Sequence, residues 1–210
     1  MLLAELAEVS DTSAASIKFY RREGLLPPGR RITATRQDYG EPHLVRLQLI
    51  GVLREQLDAS ITQIRAVTQA LDDPDRPLVE ALAEAQALTL GVLGGSTDEA
   101  TAEQPAVAPL LERLDWPDIH SQPRRALSDL LHQLDAWGVP ADPGVLDRFA
   151  RAMQEIAASD LTAMRAGREA EDPPTDDLMV IRAVRGTIAY DRLMSTLRSL
   201  AHASLTMRAS

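Results

Sequence analysis

Residues 13 to 26, SAASIKFYRREGLL, constrain the fold more than any other stretch of the chain. They describe a short helix that must stop at Gly24, since glycine leaves a helix most readily in the left-handed conformation. Ser13 suits its N-cap, and Ile17 with Leu25 and Leu26 can anchor it to a small core. Ser13, Ser16, Lys18, Tyr20 and Arg21 are then left to offer donors to phosphates or base edges. Six basic residues (Lys18, Arg21, Arg22, Arg30, Arg31, Arg36) fall in this region, opposed only by Glu23 and the neighbouring Asp38. The net charge of -9 hides that excess. Up to Leu71 there are nine basic and eight acidic side chains, and the remainder holds thirteen against twenty-three. The two parts of the chain have different tasks, and the first faces nucleic acid.

Composition removes several function classes. With no cysteine there are no disulfides, thiolate metal ligands or thiol sensors. His43, His120, His132 and His202 show no paired metal spacing, and no cofactor is expected. No nucleophile paired with a base and no phosphate loop is evident, so an enzyme is not expected. Glu5 and Glu8 stand where a signal peptide would be basic and then apolar, and no apolar run approaches the ~18 residues of a membrane span. A cytoplasmic protein with no membrane partner is the expectation. Aromatics make up only 3% and β-branched runs are scarce, which predicts a mainly α fold.

Leu3, Leu6, Ala7 and Val9 form the stripe of a first helix, and SDTS at 10–13 breaks it before the second. Pro27, Pro28 and Gly29, two arginines and then ITAT predict a hairpin carrying basic residues, a wing. Pro42 opens a third helix with Leu44, Leu47, Ile50 and Leu53 on one face. Ser60 and Gln63 form a capping box for a fourth, with Ile61, Ile64, Val67 and Leu71. Leu78 to Leu93 repeats Val79, Leu82, Ala83, Leu90 and Leu93 and suits a short coiled coil, or a helix packed on its own chain. Gly94-Gly95-Ser96 then opens a linker. Further helices are predicted at about 107–114, 123–137, 143–166 and 176–206, with Gly186 a point where the last can bend. The predicted domains are a winged helix-turn-helix at 1–73, a dimerisation helix at 74–95, a linker at 96–106 and an all-helical bundle at 107–210.

The order helix, turn, recognition helix, Arg-bearing wing, helix pair and dimerising helix resembles the MerR family of bacterial transcription regulators. Ser13, Ile17, Lys18, Phe19, Tyr20 and Gly24-Leu25-Leu26 match its recognition-helix signature, Arg36 and Tyr39 its wing, and Leu44–Leu53 with Ser60–Val67 its following helices. Asp11-Thr12 and Leu57-Asp58 depart from it at two turns, where the family commonly has glycine, and Arg21 stands where it often has Glu. The resemblance ends near residue 71. It implies a homodimer with antiparallel helices, two recognition helices in successive major grooves of a pseudo-palindromic operator in double-stranded promoter DNA, and spacer distortion that lets RNA polymerase engage. The family's metal-sensing branches use cysteines that this chain lacks.

The expected DNA contacts are Ser13, Ser16, Lys18, Phe19, Tyr20, Arg21, Arg30, Arg31, Arg36 and Tyr39. Tyr20 offers its phenol to a phosphate or its ring to the core, and Phe19 packs or touches a sugar. The dimer seam is expected at Val79, Leu82, Leu90 and Leu93. Trp116, Trp137, Met153, Met164, Met179 and Tyr190 are candidates for a pocket taking a small apolar effector, with core packing the other reading of each. The alternative is that the C-terminal bundle binds a protein partner.

Overall fold

The computed structural model describes residues 1–33, 36–91, 102–117, 121–169 and 173–209. Its elements run α1 (Leu3–Val9), α2 (Ala14–Arg22), β1 (Arg30–Arg31), β2 (Gln37–Asp38), α3 (Glu41–Leu57), α4 (Ile61–Asp72), α5 (Leu78–Thr89), α6 (Val107–Leu114), α7 (Gln122–Trp137), α8 (Pro143–Arg168) and α9 (Asp176–Ala209). The fold is mainly α, and the one described sheet is an antiparallel pair with Arg30 opposite Asp38 and Arg31 opposite Gln37. No described helix is long and apolar enough to cross a membrane.

The chain forms two compact units, one from Met1–Thr89 with Thr175–Ser210, the other from Leu90–Pro174. The boundaries therefore differ from those expected for a bundle spanning 107–210. The last helix begins in the first unit, because its opening turns present Val180, Ile181 and Val184, which are buried in that unit's core. There α9 packs on α3 and α5. Covered in this way as well as by α4, α3 buries Leu49 and Val52 besides the expected Leu47, Ile50 and Leu53. Gly186 does not split α9, which is continuous for 34 residues.

Local signals explain the shape of the first unit. Ser60 and Gln63 make the reciprocal box at the start of α4: the Gln63 N–H donates to Ser60 Oγ and the Ser60 N–H to Gln63 Oε1. The turns that lack glycine are closed by aspartates in the left-handed region, Asp11 at φ 50° and Asp58 at φ 51°. Aspartate tolerates that region better than most residues. Arg46, 5% exposed within α3, donates to both carboxylate oxygens of Asp72 at the end of α4 and to Asp177 at the start of α9. Burial alone would lower its pKa, but those hydrogen bonds outweigh it and leave the pKa raised.

In the second unit α6 packs on α7 and α8 around a small core of Leu110, Leu114 and Ala150, flanked by Trp116, Leu127 and Leu146. Arg113 chelates Asp147 across α6 and α8 and holds that carboxyl below its ordinary range. Most of the expected linker lies outside the described residues, but its end is docked. Glu103 pairs with Arg124, and the Gln104 N–H donates to Ser128 Oγ on α7.

Candidate nucleic-acid interface

Helix α2 is set on the core by Ile17 and Tyr20 and leaves Lys18 and Arg22 exposed. Ser13 caps it by accepting from the Ser16 N–H at 3.0 Å, and its hydroxyl also meets that of Ser16 at 2.8 Å. Both serines line a cleft of about 640 Å³ beside the helix-turn-helix corner. Gly24, at φ 72°, ends the helix where the Leu25 N–H bonds back to the Tyr20 carbonyl. Arg65 on α4 braces this end, donating to both the backbone carbonyl and the carboxylate of Glu23. Arg21 and Arg22 in the last turn also complement the helix dipole.

On its other side α2 faces the wing across a cleft of about 460 Å³ in which Lys18, Arg21 and Arg36 converge, with Gln37 and Tyr39. The Arg21 guanidinium donates to the Tyr39 hydroxyl at 2.8 Å, and that hydroxyl donates to Gln37 Oε1 at 3.0 Å. Arg21 Nε is buried and has no acceptor among the described residues. A cleft that gathers three cations is chemically prepared for an anionic oxygen. Gly29 lets the wing close: a Cβ there would lie 2.8 Å from the Asp38 carbonyl oxygen and 3.0 Å from the Tyr39 ring.

The expected contacts therefore separate. Lys18, Arg31 and Arg36 are exposed and available. Arg30 is exposed but ion-paired with Asp38 at 2.8 Å. The N-terminal ammonium hydrogen-bonds the same carboxylate and, with Arg30, holds it below its ordinary pKa. Tyr20 has its ring in the core and is only 9% exposed, because the spacing from Ile17 turns it inward with Leu25 and Leu26. Phe19 is half-buried against the same core, edge-on to Tyr20 and beneath the Arg22 guanidinium at 5.3 Å. Tyr39 is buried and acts as a strut to Arg21. Gln37, Arg65 and the Arg46 cluster were not legible as parts of the site. Arg46 left one trace, a lone charge within the apolar run of α3.

The expected seam on α5 is partly occupied by its own chain. Ala81, Ala85 and Ala87 are buried, Leu82 is half-buried against the same core, Val79 and Leu90 are exposed, and Leu93 lies outside the described residues. The helix itself ends at Thr89.

Of the six pocket candidates, Met179 and Tyr190 belong to the first unit and Trp116, Trp137, Met153 and Met164 to the second. Met179 is buried near the start of α9. Trp116 is half-buried in the second unit and donates its indole N–H to Gln154. Trp137, at the αL-capped end of α7, is 64% exposed, Met153 and Tyr190 are exposed, and Met164 is half-buried. Among the described residues no group of three or more His, Cys, Asp or Glu could hold a metal ion.

Residues 1–71 match the family described as MerR HTH family regulatory protein. Over 67 residues the chain is 33% identical to the HTH-type transcriptional regulator ZntR homolog of Haemophilus influenzae; the match takes in 32% of this chain and 49% of that protein. The chain thus spans about half the length of that curated relative. Among solved structures, a candidate transcriptional regulator, SCO5550, from Streptomyces coelicolor A3(2) superposes with a TM-score of 0.63 at 29% identity, covering 99% of this chain and 97% of the other.

Proposed function

We propose that the chain, a MerR-type transcriptional regulator by its residues 1–71, binds a pseudo-palindromic promoter site as a homodimer and acts there on RNA polymerase. Helix α2 enters the major groove, and the hairpin at 30–38 lies on the flanking backbone. The observation that carries this reading is the convergence of Lys18, Arg21 and Arg36 on one cleft between α2 and the wing. Phosphate contacts of this kind fix register on the duplex, while the α2 surface meets base edges. The distortion by which such a dimer controls a promoter is indirect readout, a deformation of several kcal/mol offset by those contacts.

The test is the salt dependence of operator binding, on a site recovered from random DNA. Lys18→Ala and Arg36→Ala should each lower the slope of log K against log salt by about 0.9 and weaken binding across sequences. Unchanged slopes in both variants would remove the proposed docking.

For the acidic second unit we favour a protein partner over a small apolar effector. Met153 and Ile156 are exposed one turn apart on α8, and Trp137 among the pocket candidates is itself exposed. A library of apolar compounds should leave the melting temperature unchanged. A compound that raises it in proportion to ligand excess over Kd would restore the effector.

A further inference from the structure

Opposite the core, the outer crest of α2 carries an arginine that the cleft beside the wing does not use. At about 100° per residue, Arg22 stands roughly 140° round the helix from the buried Ile17 and about 160° from the buried Tyr20. Arg21 lies instead on the flank, where it meets Tyr39 beside the cleft that Lys18 and Arg36 also line. Ala15, exposed two turns earlier on the same crest, offers only a methyl group. The Arg22 side chain is 72% exposed, yet it is held in place. Its guanidinium leans back one turn, as helical side chains do, and rests over the Phe19 ring at 5.3 Å. Its Nε faces the Glu23 carboxylate at 3.7 Å, and Glu23 is fixed in turn by Arg65 of α4 at 2.8 Å. Among the described residues no hydrogen bond claims either Nη group. Phe19 is itself seated, half-buried against the core and edge-on to Tyr20.

We infer that Arg22 is a specificity-determining residue, which reads a guanine in each half-site of the operator. The inference rests on the major-groove docking of α2 proposed above and names the base that this docking selects. An arginine carries donors alone, set in a planar fork. Among the base edges of the major groove, guanine presents two neighbouring acceptors, O6 and N7, which match that fork. Adenine sets an amino donor beside its N7, thymine offers one acceptor beside a methyl, and cytosine turns a donor outward. Each of these leaves part of the fork without an acceptor. Position decides against a phosphate. With α2 in the groove its crest faces the floor, where the base edges lie, while the two backbones run along its flanks. Lys18 and Arg21 turn to a flank, into the cleft shared with the wing, and Arg22 does not. Rigidity adds to the selection, because a guanidinium already stacked on an aromatic ring loses less freedom on binding than a loose one. Phe19 is thus a positioning residue that acts through Arg22.

The experiment is selection of bound DNA from random sequence by the whole chain, wild type and Arg22→Ala, followed by titration of the recovered operator. The wild type should enrich a site with a fixed guanine at symmetric positions in its two halves, and Arg22→Ala should lose the preference at those positions alone. Arg22→Ala should weaken binding to the recovered operator about 10- to 100-fold, and binding to a version with adenine there far less. A guanine analogue with carbon in place of N7 should weaken the wild type about fivefold and leave Arg22→Ala unaffected. Phe19→Leu, which keeps an apolar side chain against the core, should narrow the preference for guanine over adenine about threefold. An unchanged preference in that variant overturns the positioning role. Arg22→Ala weakening all sequences alike, with the salt slope lowered by about 0.9, would make Arg22 a phosphate contact and overturn the inference. A recovered site without the symmetric guanine overturns it as well. A wild type that enriches no sequence removes the regulator reading and this inference with it, whereas operator binding indifferent to Arg22 removes the inference alone.

Discussion

At the scale of single residues, two turns show how this chain manages without glycine. Asp11 and Asp58 hold positive φ, a region that costs a residue with a Cβ roughly 1–2 kcal/mol. Asp58→Gly should therefore raise stability by about 0.5–1 kcal/mol and Asp58→Val should lower it, both read from the melting temperature. Arg46 is the opposite case, a residue whose loss strands its partners. Arg46→Ala leaves Asp72 and Asp177 facing an emptied core, and breaking fully buried pairs of this kind costs about 3–5 kcal/mol. Asp72 is 43% exposed, so solvent screening brings the expectation down to about 2 kcal/mol in denaturant unfolding. Lys18, Arg21 and Arg36 line one cleft because they lie within a short span that folds back on itself where β1 pairs with β2. The sequence pattern left Tyr20 open between core and phosphate, since a phenol satisfies both readings, and only three-dimensional packing decides which way its ring turns. Arg46 was beyond reach for a related reason: its second acid, Asp177, is 131 residues away.

Among the elements, the helix starts were legible because their caps are local chemistry. Ser13, Ser60 and Asp142 all accept from the first-turn N–H groups of the helices they precede. The wing was legible from its prolines, Gly29 and arginines, but its tolerance is narrower than its composition suggests. Gly29→Ala would force the Asp38 carbonyl and the Tyr39 ring apart, which should cost about 1–3 kcal/mol and loosen the Arg21–Tyr39 strut. Operator affinity should fall more in Gly29→Ala than in Gly40→Ala, where a Cβ meets nothing closer than 3.6 Å. Equal affinities would mean that the strut does not position the site. Helix α9 misled the periodic reading because its two halves have different neighbours. Val180, Ile181 and Val184 are buried in the first unit's core, whereas Leu193, Leu197 and Leu200 are exposed, and the helix runs through both without a break.

For the molecule as a whole, charge separates the DNA-facing part from the rest, and that separation was readable by counting. How the chain divides into units was not, because the return of α9 to the first unit is a long-range contact that leaves no local signature. The chain's basic side chains are almost all guanidinium groups, and Lys18 is the single lysine. It is exposed on α2, in the cleft shared with Arg21 and Arg36. An acylating reagent that seeks primary amines on side chains thus meets one target, and that target lies on the face proposed to meet the operator. Acylation there exchanges a cation for a neutral, bulkier group, so among side chains the reaction falls on the surface proposed to meet the operator, and bound operator should shield the amine from it.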